Sequence, residues 1–162
     1  MNLGVDIGRV IIAPGDDGDE DTSFLHGSLE DALRTPPMEG AFDAIRRLVE
    51  TFGDRVWLVS KCGPRIQDRT RHWLEHHGFH EKTGLSRDRV VFCLQRRQKA
   101  DHCAQLGIEA FIDDRLDVLE AMRGHVAHLF WFGEDRGSER APKWLTAVRD
   151  WDEAVEAVLG RL

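Results

Sequence analysis

Five short apolar runs, each leading toward a stretch with helical spacing, constrain this chain more than any other feature. The runs are LGVD at 3–6, RVWLVS at 55–60, VVFCL at 90–94, EAFID at 109–113 and AHLFWF at 127–132. They are rich in β-branched and aromatic residues and show little polar alternation, the pattern of strands covered on both faces. GAFDAIRRLVETFG, which follows the first run, carries Phe42, Ile45, Leu48, Val49 and Phe52 at helical spacing and stops at Gly53. PRIQDRTRHWLEHHG starts on Pro64, turns Ile66, Trp73 and Leu74 toward a core and ends at Gly78. KADHCAQLG and RLDVLEAMRG follow the same rule, and DWDEAVEAVLGRL has Asp150 as its cap. Strand alternating with helix predicts an α/β fold, a three-layer Rossmann-like and mainly parallel sheet with helices on both faces. A chain of 162 residues is enough for one domain with a full core. Residues 1–162 are therefore read as a single domain without a large cap domain, and the polar stretch 14–37 as a flap or minimal-cap insertion.

The formal charge of −7 provides no overall basic field for a nucleic-acid backbone. Cys62, Cys93 and Cys103 form neither a CxxC pair nor an even set, which argues against a disulfide framework and for a reducing, cytoplasmic setting. No run approaches the ~20 apolar residues that span a bilayer, and no basic n-region precedes a long apolar core.

Chemistry collects at the strand ends. The first run ends on Asp6, the second on Ser60 and the fourth on Asp113 and Asp114, while Lys99 opens the helix that leads into that acidic strand. In a parallel sheet these ends converge on one edge, where open α/β sheets keep their ligands. A carboxylate nucleophile, a hydroxyl, an ammonium and paired acids suit phosphoryl transfer: Mg²⁺ prefers oxygen donors, and Lys offsets charge on the moving group.

Taken in order, DIGRV, WLVSKCG, RRQKADHC and FIDDRLD resemble the four motifs of the haloacid dehalogenase superfamily, and TPPMEGAFDAIRRL resembles the segment leading into that family's first helix. The resemblance covers about residues 2–132 and implies a HAD-like fold and a Mg²⁺-dependent phosphohydrolase. It implies that Asp6 attacks phosphorus and carries an aspartyl-phosphate, and that Ser60 and Lys99 hold the phosphoryl group. It further implies that Asp6, the Gly8 carbonyl, Asp113 and Asp114 bind Mg²⁺, while Asp117 orients its neighbours. The expected partner is a phosphorylated substrate, either a small molecule or nucleotide-like.

Gly8 departs from the pattern, because most phosphatases of the family carry an Asp there as general acid and base. Such help is worth about 10²–10⁴ in rate. A Gly would still supply its carbonyl and would relax the turn. Three readings stay open: a substrate with a good leaving group, another acid such as His26 or one from the flap, or a phosphate-binding protein without turnover.

Lys61, beside Ser60, is a candidate substrate-binding residue; with Arg96 and Arg97 it would form a basic rim, though solvated surface charge is the simpler reading. Asp17, Asp19 and Asp21 have calcium-loop spacing, but Thr22 and Ser28 stand where that loop needs Gly and Glu. His72, His76 and His80 lack an HExxH frame and read as a polar helix face. The five Trp residues read as core, and Cys62 as a bystander.

Overall fold

Strands alternate with helices as expected. The computed structural model describes residues 1–14, 22–134 and 141–162. Its elements are β1 (Leu3–Val5), α1 (Thr22–Leu25), α2 (Leu29–Arg34), α3 (Ala41–Phe52), β2 (Val56–Lys61), α4 (Pro64–His76) and α5 (Phe79–Thr83). They are followed by β3 (Val90–Cys93), α6 (Arg96–Gln105), β4 (Ala110–Asp113), α7 (Leu116–Met122), β5 (His128–Phe132), β6 (Thr146–Val148) and α8 (Trp151–Leu159).

The strands form one sheet in the order β3-β2-β1-β4-β5-β6, and every pairing is parallel. The order reverses between β1 and β4, the switch point at which doubly wound sheets open a crevice for ligands. Successive strand residues feed opposite cores. Leu3, Val5, Ile112, Phe130 and Phe132 pack into one apolar cluster with α3, α4 and α8, while Val59, Phe111, Leu129 and Trp131 pack into another with α6 and α7. Burial on both faces is why the runs read as continuously apolar.

Gly4 is required by packing. It pairs with Phe111 across β1 and β4, and a Cβ there would lie 2.5 Å from the Phe111 ring. Phe111 in turn lies beneath the Lys99 ammonium, 5.2 Å from the ring centre.

Three features depart from the expectation. A sixth strand, β6, extends the sheet beyond β5. The helix α4 ends just before Gly78 as expected, but a further short helix, α5, then runs between Gly78 and Gly84, both with positive φ. Finally, α6 starts at Arg96, so Lys99 sits one turn inside the helix instead of opening it. Gln95 and Gln98 form a reciprocal cap that moves the start forward. The described part of the 14–37 insertion holds α1 and α2, the latter with a Ser28–Asp31 capping box. Among the described residues, no helix is long and apolar enough to cross a membrane.

Candidate active site

Just past β1 the chain curls tightly. The Ile7 carbonyl accepts the backbone N–H groups of Val10, Ile11 and Ile12 at 2.8–3.2 Å, and Arg9 N–H donates to the Ile12 carbonyl. Ile7, Val10, Ile11 and Ile12 are all buried, which pins the loop from below. The left-handed residue of this loop is Arg9 (φ 61°), not Gly8. Gly8 has an ordinary backbone conformation, is exposed, and has open space where a Cβ would stand. The expectation that glycine relaxes the turn is therefore corrected: the strained position lies one residue further on and carries a long side chain.

Asp6 hangs from the end of β1, its N–H donating to the Ile112 carbonyl of β4 at 3.0 Å. Across the switch point stands Asp113, the last residue of β4 and fully buried. Lys99 reaches between them from α6. Its ammonium donates to Asp6 Oδ1 at 2.9 Å and to Asp113 Oδ2 at 2.8 Å, with only 3% of its side chain exposed. The second Asp113 oxygen accepts the Arg115 N–H. Asp6, Asp113 and Asp114 each offer a carboxylate oxygen within 4.8 Å of the others.

Three carboxylates around one ammonium leave an excess of negative charge in a partly dry place, and the titration of the groups reflects it. Burial works against the Lys99 charge, but Asp6 and Asp113 outweigh it and hold the ammonium above its ordinary range. Burial, with the Asp6 charge next, pushes the Asp113 carboxyl up. The same causes, with Asp113 added, push Asp114 up to about 8. Such a donor set, all oxygen and under-compensated, fits a hard divalent cation such as Mg²⁺. It is the one such cluster among the described residues.

A cavity of about 500 Å³ opens over this cluster. Asp6, Gly8, Ser60, Lys61, Lys99 and Asp114 line it, so the strand-end residues expected to meet do meet. Ser60 is buried near the end of β2, and Lys61 is the exposed residue after it. Arg96 also lines the cavity and pairs with Asp117, which holds Arg115 as well. Asp117 thus pairs with two arginines at the edge of the site. A second cavity of about 580 Å³ adjoins through shared Arg9 and Asp114 and runs toward Glu39, Phe132 and Trp151.

Several candidates fall elsewhere. His26 and Arg97 are exposed and line neither cavity; Arg97 bonds Gln95. His80 is buried against the Leu85 carbonyl, His72 pairs with Asp68, and His76 packs on the His77 ring, so these imidazoles serve separate local contacts. Burial pushes the Cys62 thiol up to about 11, away from the thiolate form. Asp17, Asp19 and Asp21 lie outside the described residues. Arg9, Arg115, Phe24 and Leu25 line the site without having been singled out. For Arg115, adjacency to the acidic pair was the available signal.

A parallel sheet with carboxylates at its switch point and a buried lysine between them defines a doubly wound fold built around an oxygen-rich, cation-ready crevice. Solved structures place that fold: it is the fold of haloacid dehalogenase-superfamily hydrolases. A D,D-heptose bisphosphate phosphatase from B. bronchiseptica, solved with magnesium and phosphate, superposes with a TM-score of 0.70 over all of both chains at 14% identity. A HAD-superfamily hydrolase from Ehrlichia chaffeensis gives 0.61 at 10% identity, covering 98% of this chain and 96% of that one. A haloacid dehalogenase-like hydrolase from Xanthomonas campestris gives 0.53 at 16% identity, covering 82% and 61%. By sequence, neither a family model nor a curated protein matches the chain.

Proposed function

We propose that this protein is a Mg²⁺-dependent phosphohydrolase that works through an aspartyl-phosphate on Asp6. The observation that carries this reading is the Lys99 ammonium bridging Asp6 and Asp113, with Asp114 in the same cluster, on the floor of an open cavity. In this reading a carboxylate oxygen of Asp6 attacks phosphorus, the bond from phosphorus to the leaving group breaks, and the leaving group departs with the electron pair. Water then attacks the aspartyl-phosphate at phosphorus and frees phosphate. Lys99 holds Asp6 in place through its hydrogen bond to Oδ1, and offsets charge on the phosphoryl oxygens together with Ser60. Lys61, unpaired among the described residues, is suited to a further anionic group of the substrate. Asp6, Asp113, Asp114 and the Gly8 carbonyl would hold Mg²⁺, which supplies charge neutralisation at the phosphoryl group. The superposed neighbour solved with magnesium and phosphate is consistent with this. Residues 1–162 would act as one cytoplasmic domain with 14–37 as its minimal cap, on a phosphorylated small molecule or nucleotide-like substrate.

Gly8 supports a second reading, in which phosphate binds without turnover. The carboxylates lining the cavity, among the described residues, are Asp6 and Asp114, both committed to the cation cluster. Mg²⁺-dependent hydrolysis of acetyl phosphate and para-nitrophenyl phosphate, run side by side with Asp6→Asn, separates the two. Turnover that vanishes in the variant supports the hydrolase, and a strong preference for acetyl phosphate accounts for Gly8 by its leaving group. Mg²⁺ binding without turnover on either substrate leaves the phosphate-binding reading.

A further inference from the structure

Four side chains spaced four residues apart along α4 and onto its C-cap, Arg65, Arg69, Trp73 and His77, each bond a main-chain carbonyl in the described part of the 14–37 stretch. Arg65 Nη2 donates to the Leu25 carbonyl, and Arg69 Nη1 to the Phe24 carbonyl at 2.9 Å. Trp73 Nε1 donates to the Thr35 carbonyl at 2.9 Å, and His77 Nε2 lies 2.8 Å from the Leu33 carbonyl. Residues at i and i+4 share a helix face, so the four make one rail under the insertion.

The acceptors of the two arginines belong to α1. That helix has four residues, and a helix this short has no intrahelical partners for its last carbonyls and is not stable alone. Its position must come from tertiary contacts, and the arginines provide them. Phe24 and Leu25, whose carbonyls are held, also line the cavity above Asp6 and Ser60, together with Ile12 and Ile66. Arg65 and Arg69 themselves do not line it.

We propose that Arg65 and Arg69 are positioning residues that seat α1 so that Phe24 and Leu25 form an apolar wall selecting the group attached to the phosphoryl. This rests on the phosphohydrolase reading for what the cavity holds. The wall favours substrates whose leaving group is apolar next to phosphorus, and it leaves the anion itself to Ser60 and Lys99.

Two phosphonates that resist hydrolysis separate wall from floor: methylphosphonate and phenylphosphonate, titrated calorimetrically in Mg²⁺ against the full chain. In a protein with both Arg65→Ala and Arg69→Ala, phenylphosphonate should bind about tenfold more weakly while methylphosphonate changes by less than about twofold. Hydrogen exchange over residues 22–25 should rise, and Arg69→Lys, which keeps a donor for the Phe24 carbonyl, should recover part of the selectivity. Leu25→Ala, which leaves both arginines in place, should show the same selective loss and covers the case of a double variant that does not fold. Equal losses for both ligands would overturn the proposal, because the arginines would then act on the anion. An unchanged affinity ratio in the double variant and in Leu25→Ala would overturn it too, with the phosphohydrolase reading intact. A wild-type protein that binds neither phosphonate in Mg²⁺ would remove that reading and this wall with it.

Discussion

Replacing Lys99 by Met should cost this protein a large part of its stability, in a way that depends on pH and on metal. Met keeps the unbranched shape and most of the volume, so the cavity left is small. What disappears is the ammonium at 2.9 Å from Asp6 and 2.8 Å from Asp113, in a place where the lysine is 3% and Asp113 0% exposed. Removing one partner of a buried ion pair and leaving the other costs about 3–5 kcal/mol. For a chain of this size each kcal/mol moves Tm by roughly 2–4 °C, so the metal-free variant should melt about 6–20 °C lower near pH 8. The penalty has a definite pH signature. Without the ammonium, burial and mutual repulsion raise the folded-state carboxyls further above their unfolded value of 3.8. A carboxyl raised on folding binds more protons in the folded state, so stability falls as pH rises through the window above 3.8. The loss should therefore be greatest at pH 8 and shrink toward pH 4. In the wild type the Lys99 pKa is raised on folding, so its contribution is complete throughout that range and is lost only as pH climbs past 10.5. Urea unfolding at pH 5 and pH 8, with and without Mg²⁺, tests both halves, and Mg²⁺ should recover part of the loss at pH 8. A metal-free variant within about 1 kcal/mol of wild type at pH 8 would refute the argument, since the carboxylates would then be screened by something other than Lys99.

Gly4→Ala should destabilise by about 1–3 kcal/mol, read as a lowered urea midpoint, because the added Cβ lies 2.5 Å from a buried ring that cannot withdraw. Gly8→Asp meets open space and an ordinary backbone, so the protein should fold as before. If the hydrolase reading holds, turnover of alkyl phosphates should rise about 10²–10⁴-fold with far less change for acetyl phosphate; flat alkyl rates would refute that role for the position. In the metal-free wild type the raised Asp114 carboxyl, near 8, should make stability decline as pH rises from 3.8 toward 8. Saturating Mg²⁺ should flatten that slope, and urea midpoints at pH 5, 7 and 9 would register it.

Much of the fold was legible because a parallel sheet covered on both faces leaves long apolar runs in the chain. Phe130 and Phe132 enter one core while Leu129 and Trp131 enter the other, so β5 has no polar alternation to hide it. β6 escaped for the opposite reason. Thr146, Ala147 and Val148 make a three-residue edge strand, and only Val148 is buried. α5 escaped because Gly78, which ends one helix in the left-handed conformation, also starts the next.

The floor of the site was legible for a topological reason: residues at the carboxyl ends of β1, β2 and β4 must share one edge, whatever the loops do. Burial of Lys99 was not, because a lysine one turn into a polar helix ordinarily points to water. The rail on α4 was hidden as well. Its four members differ in chemistry, and their acceptors are carbonyls 38–45 residues away. Gly8 repays a last comparison with Arg9. Had the loop needed glycine for its conformation, glycine would stand at the position with φ 61°, yet Arg9 stands there. The bare position is the one where backbone geometry would accept a side chain and nothing lies within 4 Å of its Cβ. What glycine contributes here is therefore room in the cavity that Asp6 also lines, not a turn, and if the hydrolase reading holds, that room is open to whatever is bonded to the phosphoryl group. On that reading Gly8 and the proposed apolar wall of Phe24 and Leu25 bear on the same variable, the nature of the leaving group.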